Sequence, residues 1–600
     1  MFALSVQKTE RALNTNLRCA KMEISVKNMP DSIFFARLFV PQASQSSLYR
    51  RTESEIQFAI PSALGMPAEW MIRVKKESKM IQNPILKGFC PDPSIIRVGE
   101  DYYIATSTFE WWPGVRLFHS RDLQHWQQIP SPLRRESQLN MIGDPASGGV
   151  WAPCLSYDGK RYFLIFTDVK TKKGRYYNTH NYLVYTEDIR GDWSEPVYLN
   201  SIGFDPSLFH DTDGKKYLIN MVNGFKGVLV QELDENFRLV GERKKVYAGS
   251  GIGCTEGPHM YHIGDWYYLL VAEGGTGYGH CVTMARAKTV WGPFETAPEN
   301  PILTSNQEDF SVIQKCGHAD FVETKQGEWY MVHLCSRPLN GEKWCTLGRE
   351  TAIQKMVWDK EGWLRLKAGG RFAENETEEP VGIESCEYPE EAFFRDDFEE
   401  DEISVRYSSP RADYHPFTDT KARRGWLRLK AQESLNSLHH VSLLAVRQQK
   451  VSCGAETKME FSPEYPEQLA GLAYFYDAMN FYTFGKTVTE EGEPVLTLIK
   501  SDTGVITDEI EPIPVPKDAP VLFRAEVSED GTRVCFFYTL DEKKRDWEQA
   551  GGEYSTQILT DEHCRGFTGA HFGMFAHDMT GLSYTADFDY FQIDGKAGTR

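Results

Sequence analysis

No apolar run in the chain approaches the ~20 residues that a membrane-spanning helix needs, and the amino terminus lacks the apolar stretch of a signal peptide. Neither membrane insertion nor a membrane partner is expected. The 12 cysteines are scattered, with no C-x-x-C pair and no grouping with histidine at metal-ligand spacing. That pattern argues against a zinc site and against a small disulfide scaffold, so free thiols in a reducing, cytoplasmic setting are expected. Basic residues are in deficit: 66 Lys and Arg face 85 Asp and Glu, for a formal charge of -19. Such a surface disfavours nucleic acid and anionic membranes as partners and suits a neutral ligand.

What is present is length and aromatic surface. At 600 residues the chain exceeds one hydrophobic core, so two domains with additional segments are expected. Aromatics make up 13% of it, with 14 Trp, and flat apolar faces suit sugar rings and protein interfaces alike. Residues 1–79 show mixed polarity, no sustained period and a basic end at Arg73-Val-Lys75-Lys76-Glu77-Ser-Lys79; they read as a poorly ordered extension. Lys76-Glu77 can be encoded AAGGAG, a bacterial ribosome-binding sequence two codons before Met80, which makes Met80 a candidate start. Mass spectrometry of the natively expressed protein checks this, and an amino-terminal peptide from before residue 80 would refute it.

From Met80 to about Gly370 the chain repeats one plan five times: a polar or catalytic-type residue, a short apolar strand, a Gly-containing turn and an aromatic second strand. The repeats open at Asp92-Pro-Ser, Trp151-Ala-Pro, Asp205-Pro-Ser, Glu256-Gly-Pro and His318-Ala-Asp. The tyrosines that follow, at 102, 162, 217, 267 and 330, lie 60, 55, 50 and 63 residues apart. Antiparallel units at that spacing, without helical periods between them, predict an all-β five-bladed propeller over residues 80–375. First strands of propeller blades line the central axis, so Asp92, Trp151, Asp205, Glu256 and His318 are expected to converge on one cavity. The acidic stretch from Glu374 reads as the start of a linker, 376–393. Beyond it, period-two segments such as Gly425–Lys430, Leu472–Tyr476, Arg533–Tyr538 and Asp587–Phe591 predict a jelly-roll, concanavalin-like β-sandwich over 394–600.

Three facing acids suggest hydrolysis of a glycosidic bond, which needs one protonated carboxyl to give a proton to the leaving oxygen and one carboxylate to activate water or attack carbon. Asp92 is framed by two prolines, and Glu256 lies on a non-adjacent blade. Asp205 would hold Glu256 in place and keep it protonated by like-charge proximity. Asp-Pro is also a common turn starter, so any one of these motifs alone reads more simply as a turn cap. Their recurrence at equivalent blade positions favours chemistry.

The stretches Asn83-Pro-Ile-Leu-Lys-Gly-Phe-Cys-Pro-Asp92-Pro-Ser-Ile, Thr106-Ser-Thr-Phe109-Glu-Trp-Trp-Pro-Gly-Val, Gly203-Phe-Asp205-Pro-Ser-Leu-Phe-His-Asp and Thr255-Glu256-Gly-Pro-His resemble the β-xylosidase branch of glycoside hydrolase family 43. Lys315-Cys-Gly-His318-Ala and Leu347-Gly-Arg349-Glu-Thr-Ala extend the likeness, which runs from about Met80 to Asp594. The resemblance implies an inverting, exo-acting enzyme that removes xylose from the non-reducing end of β-1,4-xylo-oligosaccharides, with Asp92 as general base, Glu256 as general acid and Asp205 tuning the acid. It further implies that Arg349 binds sugar hydroxyls, that Phe109 and Trp151 wall the terminal-sugar pocket, and that an aromatic loop of the sandwich, for which Phe567 is the candidate, closes it. Phe567 reads equally well as a buried strand residue. No cofactor is expected, although some family members hold a divalent cation beside the histidine equivalent to His318; a lone histidine is more often a satisfied hydrogen-bonding group. A homo-oligomer is common in the family, and a cytoplasmic location implies that the oligosaccharide is imported.

One departure is visible. The third blade, Met221-Val-Asn-Gly-Phe-Lys-Gly227, is shorter than the branch leads one to expect, so a more open rim beside the leaving group is expected, with consequences for aglycone preference and subunit contacts. Competing readings are an α-L-arabinofuranosidase, since the two sugars present similar hydroxyls, a retaining glycosidase with a covalent nucleophile, and a non-catalytic carbohydrate-binding propeller. Mere binding has no use for three mutually repelling acids.

Overall fold

The computed structural model describes residues 79–594 apart from 174–175, 309–310, 340–342, 384, 387 and 389–392, together with five short strands before residue 79. Three of those strands, Leu4–Gln7, Lys21–Val26 and Ala36–Phe39, form one antiparallel sheet in a unit of its own, Met1–Ser78. The reading of 1–79 as a poorly ordered extension falls largely outside the described residues.

In the second unit, Lys79–Arg600, five antiparallel sheets follow one another in chain order. Their innermost strands are Ser94–Val98, Gly149–Tyr157, Gly203–His210, Glu256–Ile263 and Gln314–Glu323. Each pairs with a second strand carrying the aligned tyrosine: Asp101–Thr106, Tyr162–Lys173, Lys216–Val222, Trp266–Glu273 and Trp329–Ser336. These are the five blades of a propeller. Inner strands are covered on both faces, which is why Gln314–Glu323 is buried at every position but the last and does not alternate polar with apolar.

Closure depends on residues just before the first blade. Met80–Gln82 pairs with Glu376–Glu378, and Asn83 acts as a substitute strand residue: its amide nitrogen donates to Ile353 O (2.8 Å) and its amide oxygen accepts from Ile353 N (2.8 Å). The acidic stretch read as linker therefore still belongs to the propeller through Glu378. Thr377 is buried while the glutamates on either side face outward, so strand pairing is compatible with their like charges.

The carboxy-terminal part forms two packed sheets. One centres on Thr585–Asp594, flanked by Leu427–Lys430 and Gly454–Glu460; the other runs through Ser442–Arg447, His571–Asp578, Gln468–Asp477, Asn480–Val488 and Pro494–Asp502. Three of the four segments chosen for their period of two lie in these strands, apart from Gly425 and Trp426, and the fourth, Arg533–Tyr538, lies in the strand Arg533–Thr539 of the first sheet. An apolar cluster joins the domains at the mouth of the propeller: Phe89, Phe109 and Trp111 pack with Leu443, Phe475, Phe481 and Phe575 of the sandwich, with Trp151 and Phe567 at its border. The sandwich thus packs directly against Phe109 and Trp151, two of the candidate wall residues.

Candidate active site

A recurring backbone device brings the candidate residues to the mouth of the axis. Asp92, Ala152, Asp205, Gly257 and His318 all have positive φ, between 35° and 55°. In the last four blades the register of the inner strand shifts beside this residue, between Trp151 and Cys154, Phe204 and Ser207, Glu256 and His259, and Gly317 and Ala319. Such bulges re-aim side chains that a regular pleat would point into the sheet stack. In two blades the left-handed residue is one later than the sequence alignment suggests. Trp151 and Glu256 precede it, whereas Asp92, Asp205 and His318 occupy it.

Asp92 is buried, and its Oδ2 accepts from Ser107 Oγ (2.6 Å), which in turn accepts from Ala152 N (2.7 Å). Its Oδ1 lies 3.7 Å from both Arg349 Nη1 and His318 Nδ1. Asp205, also buried, accepts from Gly257 N at 2.9 Å, so the residue after Glu256 is anchored to the third acid. A side chain at Gly257 would place Cβ 2.9 Å from His318 Nε2, so only glycine satisfies both this φ and this neighbour.

The electrostatics separate the acids. Burial and then the charge of Asp92 push Asp205 up to about 7. Burial, followed by Asp205 and Asp92, raises Glu256 well above the usual carboxylate range, against a smaller opposing effect of Arg349. Its side chain is only 13% exposed. Two negative charges so close together in a poorly solvated cavity are unfavourable, so Glu256 is driven to its neutral form. His280 Nε2 lies 3.6 Å from Glu256 Oε1. Its Nδ1 contacts Lys315 O (3.1 Å) and therefore carries the proton, which leaves an unshared pair on Nε2 facing the glutamate. Burial pushes His280 down to about 3 and His318 to about 4, so both rings are neutral.

Arg349 is buried among the aromatic candidates. It donates from Nη1 to Thr276 Oγ1 (2.8 Å) and from Nη2 to Phe567 O (3.0 Å), and its guanidinium lies 4.8 Å from the Phe567 ring and 5.3 Å from that of Phe109. Phe109, Trp151 and Phe567 form a triangle with centroids 5.8 to 6.0 Å apart. Phe567 is half-buried on the loop after the short helix Asp561–Cys564, not in a strand, and its N donates to Ser147 Oγ (2.9 Å). Ser147 O accepts from Trp151 Nε1 (3.0 Å) and Lys172 Nζ (3.3 Å), so one residue braces two walls.

The eight residues chosen from sequence therefore meet. Sequence reasoning missed Ser107, Ser147, Thr276 and His280. Ser107 lay inside the quoted Thr106-Ser-Thr-Phe109 motif, but the other three are defined by contacts between blades and carry no local signal. His318 could offer a cation one ring nitrogen; among the described residues no three His, Cys, Asp or Glu side chains are grouped to hold a metal ion.

The glycosyl hydrolases family 43 pattern matches residues 81–364, and that of the beta xylosidase C-terminal Concanavalin A-like domain matches residues 395–594. The chain is 43% identical over 544 residues to a beta-xylosidase of Bacillus subtilis (strain 168), covering 86% of this chain and all of the relative. It is 42% identical over 537 residues to xylosidase/arabinosidase 43B of Humicola insolens, covering 85% and 97% respectively. The crystal structure of a xylan beta-1,4-xylosidase from Bacillus halodurans C-125 superimposes with a TM-score of 0.83 at 45% identity, over 86% of this chain and all of the other. With the propeller, the concanavalin-like sandwich and the grouped acids in place, these matches establish that the chain belongs to glycosyl hydrolases family 43.

Proposed function

We propose that this glycoside hydrolase releases xylose from the non-reducing end of β-1,4-xylo-oligosaccharides with inversion at the anomeric carbon. The observation that carries the reading is the division of labour among the acids: Glu256 is held neutral by burial beside Asp205 and Asp92, while Asp92 has Arg349 and Ser107 on its two oxygens. Asp92 as general base takes a proton from a water molecule, whose oxygen attacks the anomeric carbon. Glu256 as general acid gives its proton to the glycosidic oxygen as that bond breaks, so the products are α-xylose and an oligosaccharide shortened by one sugar. Asp205 raises the affinity of Glu256 for its proton and holds Gly257 in place. Phe109, Trp151 and Phe567 enclose the terminal sugar, and Arg349 orients its hydroxyls beside Asp92.

A sandwich domain of 394–600, a homo-oligomeric state, a cytoplasmic location and activity without a cofactor belong to the same proposal, with the propeller domain running from 80 through 378. A second reading, α-L-arabinofuranosidase or bifunctional activity, is favoured by one observation: a relative of 42% identity is named xylosidase/arabinosidase. Proton NMR of the protein with xylobiose, followed before mutarotation and repeated with Glu256→Ala and with 4-nitrophenyl arabinofuranoside, tests both. Initial α-xylose, lost in the variant, is the expected result. Initial β-xylose would refute inversion, and arabinose release without xylose would move the specificity to the second reading.

A further inference from the structure

The pairing of Gly203 with Val222 and of Phe204 with Met221 puts the turn Asn223–Gly227 at the mouth end of the third blade, directly beyond Asp205. This is the turn whose brevity stood out in the sequence. At its tip Phe225 has φ 55° and is 40% exposed. A bulky residue in the left-handed region carries strain, and an exposed phenyl ring gains little burial to offset it.

The turn is nevertheless well anchored. Asn223 N donates to Ile202 O (3.1 Å), Val222 N donates to Gly227 O (3.0 Å), and the Asn223 amide reaches Thr179 Oγ1 of the second blade (3.3 Å). Gly227 has φ 116°, and a Cβ there would lie 2.6 Å from Tyr247 O. The fold therefore holds the turn that carries the ring in a set position.

Phe225 is also the end of a line of rings that begins in the pocket. Trp151, a wall of that pocket, meets Phe204 edge-on at 5.7 Å, and Phe204 meets Phe225 edge-on at 5.8 Å. Phe204 is 3% exposed, so the line runs from the terminal-sugar pocket through a buried ring to a solvent-facing one. Tyr177, half-buried on the neighbouring hairpin, is close enough to Glu256 to feel its charge. Whatever lies beyond the bond that Glu256 protonates must leave on the acid's side, where this rim stands. The C–H face of a pyranose stacks on such a ring.

We propose that Phe225 is the stacking platform for the xylosyl residue on the leaving side of the scissile bond, which makes the short third-blade turn a determinant of aglycone preference. The inference rests on the reading of the site given above. The test compares kcat/KM for xylobiose with that for β-D-xylosyl fluoride, whose leaving group is too small to reach a sugar subsite, in the parent protein and in Phe225→Ala and Phe225→Trp. The expected result is a fall of about tenfold in the xylobiose-to-fluoride ratio in Phe225→Ala, expressed mainly in KM for xylobiose, with recovery to within about twofold in Phe225→Trp. An unchanged ratio, including one in which both substrates decline together, would overturn the proposal. A parent protein that hydrolyses neither substrate would instead overturn the underlying reading.

Discussion

Two polar layers sit one above the other along the axis of the propeller, and they have opposite characters. In the inner layer Asp320 is fully provided for: Oδ2 accepts from Ser94 Oγ and Ile95 N, both at 2.9 Å, and Oδ1 accepts from Tyr261 OH (2.5 Å) and Phe321 N (2.8 Å). At the mouth, two residues earlier along each of the first and third inner strands, Asp92 and Asp205 each accept one close bond, and Glu256 has none among the described residues. The same side-chain chemistry on the same scaffold is structural where its bonding is complete and, in the proposed mechanism, reactive where it is not. Incomplete solvation is what raises the proton affinity of Glu256, and it should lower the stability of the fold.

The comparison breaks most visibly in catalysis. Asp92→Asn and Glu256→Gln should each lower kcat/KM for xylobiose by about 10² to 10⁴-fold, the usual worth of a positioned proton donor or acceptor, whereas Asp320→Asn should lower it by less than about tenfold. A large kinetic defect in Asp320→Asn with an undiminished melting temperature would dissolve the distinction between the layers.

Asp205→Asn sharpens it through pH. With one of the charges that raise Glu256 removed, the acid should lose its proton at lower pH, so the alkaline limb of kcat/KM shifts toward acid, alongside a loss of about 10²-fold near neutrality. An unshifted limb would show that Asp205 acts by position alone.

Stability should move in opposite directions in the two layers. The folded-state affinity of Asp205 for its proton is raised to about 7, so its contribution to stability is fully present below the unfolded value near 4 and is lost as pH rises toward 7. Asp205→Asn should therefore melt a few degrees higher than the parent at pH 7, with the gain vanishing near pH 4. Asp320→Asn, which leaves buried donors without their acceptor, should melt several degrees lower at both. Differential scanning calorimetry at the two pH values reads both effects.

The smallest change tests the brace between the acids. Gly257→Ala adds one methyl group at φ 55° and 2.9 Å from His318 Nε2, and should cost about 10-fold or more in kcat/KM together with a few degrees of melting temperature. Unaltered kinetics would show that His318 can yield without disturbing Glu256.

Much of this was legible in the chain because a propeller repeats its local chemistry. Inner strands that begin with a polar residue, turn at glycine and return through a tyrosine report their spacing directly, and that spacing is enough to place Asp92, Asp205 and Glu256 around one axis. The one-residue offset at Trp151 and Glu256 was not legible, because a bulge is set by register against the second strand and not by the residue type at its centre. Nor was the role of Glu376–Glu378 in closing the ring, because charge composition suggests a linker and only the partner strand 294 positions away identifies an edge.

The sequence by itself determined the architecture, the family resemblance and the identities of the facing acids, since strand periodicity and motif spacing are local properties of the chain. Only the tertiary structure decided that burial comes before the neighbouring charges in raising Glu256, that Ser147 braces Trp151 and Phe567 together, and that His280 turns an unshared pair toward Glu256. Those outcomes depend on desolvation and on contacts between residues tens to hundreds of positions apart, and proton affinity is a property of an enclosure, not of a residue type.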